Sequence, residues 1–587
     1  MLSKILVANR GEIAARVIRT IHDLGLTAVA VYADQDIDST AVALADEAYS
    51  LGGDTIATTY LNGDKILEIA KECGADAIHP GYGFLSEVTD FAKAVADAGI
   101  TWIGPEAATI EALGEKIGAR RTATAAGVNP VPGTNDPLDS MDTVRAFAAE
   151  HGYPIVCKRS DGGGGRGIEV INKDSDIREF EQRHAFPGGD LDKFFLEKFV
   201  TVARHIETQC MRDSHGNFVV SSTRDCSVQR RNQKLIEEAP APFLPEGVEE
   251  TVTAWSKALF EHTNYVGLGT CEFLLTPEGD VYFLEVNPRL QVEHTVTEEV
   301  TGLDLVAEQI AIASGHECSA KPELRGHSIE LRITSEDPGN DLVPTAGIIS
   351  RLDWPVGNGV RVESGVRVGD TVTPDFDSMV AKLIITGSDR DNAIARARRA
   401  LQEFTIEGLA TPAPLFQQIL ADDDFAKDFT IGTRWFETTF LPKATLPEPF
   451  ETEGDIGSGG STRAFTVEID GRRHQVTVPT DFFTAAGINA QPLKTQPRRS
   501  ATRTKAPQSN DIVITDGTLV SPIQAIVVRV AVTPGQKVEE GDILMVLEAM
   551  KMEKYVHAPA AGTVAEVMVE AGKNVPANTP LLKFEEA

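Results

Sequence analysis

Cysteine is scarce in this 587-residue chain: the six present (Cys73, Cys157, Cys210, Cys226, Cys271 and Cys318) are scattered and form no CxxC pair. That spacing supplies neither a zinc site nor a disulfide framework, and the six are read as buried thiols. Long apolar runs are missing too. None approaches the roughly 18 residues of a spanning helix, and the opening Met1-Leu-Ser-Lys-Ile-Leu-Val-Ala-Asn-Arg-Gly-Glu reaches an acid too early for a secretory signal. A cytoplasmic protein with no membrane partner is expected. Positive charge is also short. The 55 Lys and Arg face 87 Asp and Glu, a formal charge of −32, which excludes a binder of nucleic-acid phosphate backbones. What remains, 42% hydrophobic and 24% charged residues, suits a multidomain globular protein of about four units at roughly 150 residues each.

Residues 4–8 read as a buried strand, 10–24 as a helix with Ile13, Val17, Ile18 and Ile21 at helical spacing, and 27–32 as a second strand. This β-α-β opening predicts a parallel sheet, but its first turn, Asn9-Arg-Gly11-Glu-Ile-Ala14, lacks the GxGxxG of a dinucleotide site. From about residue 114 strands and helices mix around a glycine run and an acidic strand pair. From about 326 to 441 the pattern is strand-rich, with a helix over residues 390–404 near its end. Pro442, Pro447, Pro449 and the glycines of 454–461 signal a linker. Within it, alternation over 465–478 about Asp470-Gly471 predicts a hairpin, and the acid-free stretch 482–510 reads as a solvated tether. The last 75 or so residues repeat at a shift of 37, with Pro522 on Pro559, Val530 on Val567, Gly535 on Gly572, Val538 on Val575 and Leu544 on Leu581. Two equivalent β half-units follow, with Lys551 at their junction.

Two motifs carry chemistry. In Lys158-Arg-Ser-Asp-Gly162-Gly-Gly-Gly165-Arg166-Gly167 the glycines expose N–H groups able to wrap phosphate oxygens. Predicted strands at 154–158 and 168–172 make it a strand–loop–strand lid and not a strand–loop–helix P-loop; a flexible linker is the bland alternative. In the segment 271–287, pairing 276 with 281 sets Glu272 opposite Glu285, and like charges so placed repel unless a cation joins them. Asn287 shares the strand face of Glu285, giving an all-oxygen set suited to Mg²⁺; two exposed glutamates on an edge hairpin are the alternative. Directly beyond, Arg289-Leu-Gln291-Val292-Glu293-His294 offers a cation, an amide and a carboxylate able to hold and deprotonate a small anion. Such local cations are needed where the overall field repels anions.

With these motifs in place, residues 1–445 resemble biotin carboxylase of the ATP-grasp superfamily. The resemblance is carried by His79-Pro-Gly-Tyr82-Gly-Phe-Leu-Ser-Glu87, the glycine lid, Arg224-Asp-Cys-Ser-Val-Gln-Arg-Arg-Asn-Gln-Lys234, Glu237-Glu-Ala-Pro-Ala-Pro242, residues 285–294 and Asp377-Ser-Met-Val-Ala-Lys382. Residues from about 512 resemble a biotin carboxyl carrier domain, with Ala549-Met550-Lys551-Met552 as the tetrapeptide whose methionines favour biotin over lipoate. The order is similar to the α subunits of actinobacterial-type acetyl-/propionyl-CoA carboxylases.

The resemblance implies a multidomain α/β fold: an N-terminal α/β domain (1–113), an ATP-grasp domain (114–325), an α+β C-terminal domain (326–445), a linker (446–511) with a hairpin at 464–480, and an all-β hammerhead biotinyl domain (512–587). It implies an ATP-dependent ligase of fatty acid biosynthesis that carboxylates biotin held covalently on Lys551, using ATP, bicarbonate and Mg²⁺, with Mn²⁺ as the alternative ion. Lys116, Lys158, Gly163, Gly164 and Gly165 would meet the ATP phosphates, and Glu197, Lys198, Val200 and His205 the adenine and ribose. Asn232, where many relatives carry histidine, would lie near the nucleotide. Glu272, Glu285 and Asn287 match metal ligands, and Lys234, Arg289, Gln291, Val292 and Glu293 a bicarbonate pocket with Glu293 as base. Tyr82, Gln233 and Arg361 would line the biotin pocket, Arg361 facing the ureido oxygen. Implied partners are a separate carboxyltransferase β subunit, giving a hetero-oligomer, and a biotin protein ligase. The alternatives are a subunit of a two-chain pyruvate carboxylase, or a biotin-carrying scaffold with an inactive ATP site.

Overall fold

The computed structural model describes residues 2–160, 167–185, 189–373, 375–450, 462–469, 472–479, 514–515, 518–521, 525–549, 552–575 and 579–584. The chain divides into two units, Met1–Phe450 and Glu451–Ala587. In the first, a five-stranded parallel sheet runs in the order Glu47–Ser50, Thr27–Tyr32, Lys4–Val7, Ala77–His79, Thr101–Trp102. Its central strand is continuously apolar because helices cover both faces of such a sheet. The helix Gly11–Asp23 buries Ile13, Val17, Ile18 and Ile21, one residue shorter at each end than the spacing predicts. Strand order reverses between Lys4–Val7 and Ala77–His79, which opens a crevice at their C-terminal ends. There the Asn9 amide donates to the carbonyls of Pro80 and Tyr82, both at 2.7 Å, and fixes the loop that follows His79.

A three-stranded antiparallel sheet, Ile168–Ile171, Ile155–Arg159 and Phe194–Lys198, forms the strand–loop–strand unit expected of the lid. The loop itself, with Gly163, Gly164 and Gly165, lies outside the described residues. The main frame is an eight-stranded antiparallel sheet ordered Val281–Asn287, Gly267–Leu275, Arg204–Arg212, Phe218–Arg230, Gln233–Ala239, His327–Thr334, Met379–Gly387, Val360–Ser364. Because Gln233–Ala239 pairs with His327–Thr334, the sheet crosses residue 326 without a break.

The acidic hairpin closes differently from the sequence reading. Leu275, not Thr276, pairs with Val281, since Thr276 N–H donates to Asp280 O at 2.9 Å across a three-residue loop with Gly279 at φ +91°. A bulge at Leu284 absorbs the one-residue slip and restores Glu272 opposite Glu285. Asn232 has a conformational duty the sequence reading missed. Arg230 pairs with Gln233, so Arg231 (φ +48°) and Asn232 (φ +63°) form a two-residue left-handed turn, a conformation asparagine tolerates.

In the second unit, Thr462–Ile469 and Arg472–Pro479 form the predicted hairpin, paired from Thr462↔Pro479 to Ile469↔Arg472; Asp470 and Gly471 lie outside the described residues. The terminal β module holds one sheet with neighbours Thr518–Val520, Pro580–Phe584, Gly562–Val567, Lys537–Val538, and another with Met552–His557, Ile543–Ala549, Ala525–Val530, Asn574–Val575. A shift of 37 carries each of these four strands of the first sheet, which also takes in Ile514–Thr515, onto a strand of the second, and this explains the sequence repeat as a quasi-twofold sandwich. Leu519, Val527, Leu544, Leu547, Val564 and Leu581 fill its core. All six cysteines are free thiols; five are buried as expected, whereas Cys318, in the coil after the helix Leu305–Ala313, is only half-buried.

Candidate active site

Residues directly opposite in neighbouring strands share one face, and the registers of the eight-stranded sheet align Glu285, Glu272, Glu207 and Arg224 in one row across four strands. Three acids in a row would repel. Lys234, on the next strand, reaches over them: its Nζ lies 2.7 Å from Glu207, 3.0 Å from Glu272 and 2.5 Å from Glu293. Arg224 binds Glu207 and also donates to Gln209 (2.7 Å) and Thr297 (2.9 Å). Arg332 closes the far side, donating to Glu293 at 3.0 Å and to Glu237 at 2.5 Å. Glu207, Arg224 and Glu293 are all fully buried.

Burial opposes the charge on Glu293, but Lys234, Arg332 and Arg224 outweigh it and hold the carboxyl well below its usual range. Glu272 behaves likewise: burial works against its charge, and Lys234 and His205 overcome it. The Glu272 carboxylate also accepts from Asn287 (2.9 Å) and Gln291 (3.0 Å), with His205 Nε2 at 3.1 Å. Arg289 donates to Gln291 (2.8 Å) and to Asn287 (2.9 Å), and lies 3.3 Å from Glu87. Thus Lys234, Arg289, Gln291 and Glu293 converge with Glu272 and Asn287 in one buried cluster.

Glu285 stands apart in its electrostatics. Burial, then the charge of Glu272, pushes its carboxyl up, with Lys116 and Lys158 acting the other way. A carboxyl raised by a facing carboxylate fits a hard divalent cation, which would turn that repulsion into attraction; Asn287, two residues along the same strand, holds its amide on Glu272 and Arg289. Lys158 instead pairs with Glu197, which also receives Arg120 at 2.5 Å, so the Glu197 carboxylate is engaged inside the lid. His205 sits against Glu272 and the Gln229 amide (2.8 Å). Lys198 is exposed and Val200 half-buried at the end of the lid strand, and Asn232 is exposed at its turn, one residue before the half-buried Gln233.

Arg361 is not brought to this cluster. Glu298 (2.8 Å), Glu299 (3.2 Å) and Glu363 (2.8 Å) hold its guanidinium. The arginine touching Glu293 is Arg332, which the sequence reading missed. Tyr82 lies at the crevice of the parallel sheet, its hydroxyl on Glu12 and its ring 5.8 Å from Lys382 Nζ. Lys551 lies outside the described residues; the strands either side of it pair up to Ala549↔Met552.

A lid over a sheet that gathers cations and acids, with a separate quasi-twofold β sandwich, defines an ATP-grasp enzyme carrying a biotinyl-type module. Family models agree segment by segment: "Biotin carboxylase, N-terminal domain" matches residues 1–110, "Carbamoyl-phosphate synthase L chain, ATP binding domain" 115–321, "Biotin carboxylase C-terminal domain" 330–438 and "Biotin-requiring enzyme" 517–584. The chain is 46% identical to the biotin-dependent acyl-coenzyme A carboxylase alpha3 subunit of Mycobacterium leprae, covering 100% of this chain and 99% of that one. It is 34% identical to the mitochondrial propionyl-CoA carboxylase alpha chain of Mus musculus, covering 99% and 92%. Among solved structures, the biotin carboxylase domain of Hydrogenobacter thermophilus 2-oxoglutarate carboxylase, in complex with MgADP, ADP and bicarbonate, superposes with a TM-score of 0.71 at 41% identity over 74% of this chain and 97% of that one. The chain belongs to the biotin-dependent acyl-CoA carboxylase alpha subunits, which join a biotin carboxylase to its biotin carrier domain.

Proposed function

We propose that residues 1–445, with domain limits near 113 and 325, use ATP and bicarbonate to carboxylate biotin on Lys551 of the module 512–587. The linker 446–511 tethers that module, and the work is done in the cytoplasm for a separate carboxyltransferase subunit, after a biotin protein ligase has loaded the lysine. Relatives that span the chain from end to end are acyl-CoA carboxylase subunits, which favours this pathway over pyruvate carboxylation. The intact cation–carboxylate cluster speaks against an inactive scaffold.

The observation carrying the reading is Lys234 poised among Glu207, Glu272 and Glu293 with Arg289 and Arg332 alongside. An entering bicarbonate draws on Lys234 and Arg289, and every hydrogen bond it takes from Glu293 returns proton affinity to that carboxylate. The base becomes competent as its substrate arrives. Deprotonated bicarbonate then attacks the γ-phosphate of ATP, which Lys116, Lys158 and Gly163 to Gly165 orient, and the bond to the β–γ bridging oxygen breaks, giving carboxyphosphate and ADP. Glu272, Glu285 and Asn287 would hold Mg²⁺, which supplies charge neutralisation at the phosphates when bound. Biotin supplies the ureido nitrogen that accepts the carboxyl group as phosphate leaves and takes up that nitrogen's proton; Tyr82 and Gln233 flank its entry, Arg361 faces the ureido oxygen, and Arg332 adds a cation beside Glu293. The test is bicarbonate-dependent ATP cleavage by the holoprotein with free biotin. Cleavage should fall more than about a hundredfold in Glu293→Gln. Hydrolysis indifferent to bicarbonate, or retained in that variant, refutes the reading.

A further inference from the structure

Two fully buried residues of the quoted motifs, His294 and Lys382, have no part in the chemistry above. Both grip the backbone of the turn that carries Gln291, Val292 and Glu293. His294 Nδ1 lies 2.7 Å from the Gln291 carbonyl, and Lys382 Nζ donates to the Val292 carbonyl at 2.8 Å. A carbonyl only accepts, so Nδ1 of His294 carries the proton and Nε2 is left as a bare lone pair with no hydrogen-bond partner. Burial, and then Lys382 and Arg16, keep the ring neutral. Lys382 comes from the strand Met379–Gly387, pairs with Arg332 in register, and lies 3.3 Å from Glu12. The turn is thus held both by the helix residue that follows it and by a strand distant in sequence.

In a trans peptide the C=O and N–H point opposite ways. Holding the Gln291 and Val292 carbonyls therefore aims the Val292 and Glu293 N–H groups in the reverse directions, and among the described residues neither N–H has an acceptor. Two consecutive free amides make an anion-binding concavity. We infer that His294 and Lys382 are positioning residues that lock two successive peptide planes so that the turn offers its amides to the anion. The inference rests on the bicarbonate reading given above, and assigns the rigidity of that turn to side chains that never touch the substrate.

His294→Asn and His294→Gln separate this role from general packing. An asparagine amide nitrogen falls near the position of Nδ1, whereas glutamine carries its donor one methylene further. Bicarbonate-dependent ATP cleavage with free biotin should show a bicarbonate KM raised roughly tenfold or more in His294→Gln, the loss of a hydrogen bond to a charged ligand. The KM for ATP should be unchanged, and His294→Asn should restore the bicarbonate KM to within about twofold of wild type. Equal bicarbonate KM values for the two variants, or a parallel rise in the KM for ATP, would overturn the positioning role. Wild-type protein that cleaves ATP without regard to bicarbonate would overturn the functional reading instead.

Discussion

Replacing Lys234 by methionine keeps an unbranched side chain one atom shorter and removes one charge from the centre of the site. Its ammonium lies 2.5 to 3.0 Å from three carboxylates. At an effective dielectric of about 20 each contact carries roughly 6 kcal/mol of attraction, most of it offset by the desolvation of the ions. Removing one partner of such a buried set costs about 3–5 kcal/mol, because the acids remain buried and uncompensated. That corresponds to a loss of about 10 °C in the melting of the domain concerned. The pH dependence has a definite sign. In wild type the Glu293 and Glu272 carboxyls are depressed, so they contribute stability that is present above their unfolded value of about 4.3 and lost as pH falls through their native values. In the variant burial acts with less opposition and raises them, so its penalty grows with pH above about 4.3. The melting gap should be widest near pH 7.5 and narrow by at least about half near pH 4.5. Calorimetry at the two pH values measures it. A gap under about 2 °C at the higher pH, or one that does not change with pH, would refute the account of the cluster.

Glu285→Gln removes a carboxyl that burial and Glu272 push up, so apo stability should hold level or rise, more so as pH increases from about 5 to 8, while ATP cleavage falls more than about a hundredfold; melting curves and turnover check both. Lys551→Arg should keep cleavage with free biotin yet carry no biotin by intact mass, and any labelling that survives removes Lys551 as the attachment point. His184 lies 2.6 Å from Asp190 and 2.7 Å from Glu169, and although burial opposes its charge these acids raise its pKa. Its stabilisation of the lid is therefore complete below about pH 6.5 and lost as pH rises through the raised native value. His184→Gln should increase hydrogen exchange over 168–184 at pH 6 and converge with wild type at higher pH.

What was legible in the sequence was whatever repeats or alternates locally. The first β-α-β unit, the strands about the glycine run, the hairpin at 462–479 and the shift of 37 in the carrier module all depend on residues close in the chain. The site was only half legible. Arg289 to Glu293 and the Glu272–Glu285 pair stand within a short span, but Glu207, Arg224 and Arg332 join them through registers between strands far apart in sequence; Glu207 and Arg332 each look like an ordinary charged residue in its own strand, and Arg224 stood in a quoted motif with no role attached. The role expected of Arg361 came from its motif; the acids that hold its guanidinium, Glu298 and Glu299, lie on the helix His294–Thr301, and only the fold brings them to it. Asn232 read as a departure from the nucleotide site because its backbone angle, the reason asparagine suits that turn, is not written in composition.

The pairing of every cation in the cluster with an internal acid bears on how a chain of charge −32 takes up an anion at all. An unpaired lysine buried at this depth would shed its proton, and an unpaired arginine, which stays charged, would carry the full cost of its desolvation. Against the cost of burial, Glu207, Glu272 and Glu293 keep Lys234 charged, and Glu87 offsets the burial of the Arg289 charge. On the function proposed above, bicarbonate would not enter a vacant positive pocket; it would exchange with carboxylates already in place, and its affinity would be the difference between two sets of contacts of similar strength. Weak net binding would be the consequence on that reading, leaving most of the interaction energy to be expressed after the exchange, when Glu293, its cations drawn to the anion, would act on the anion's proton.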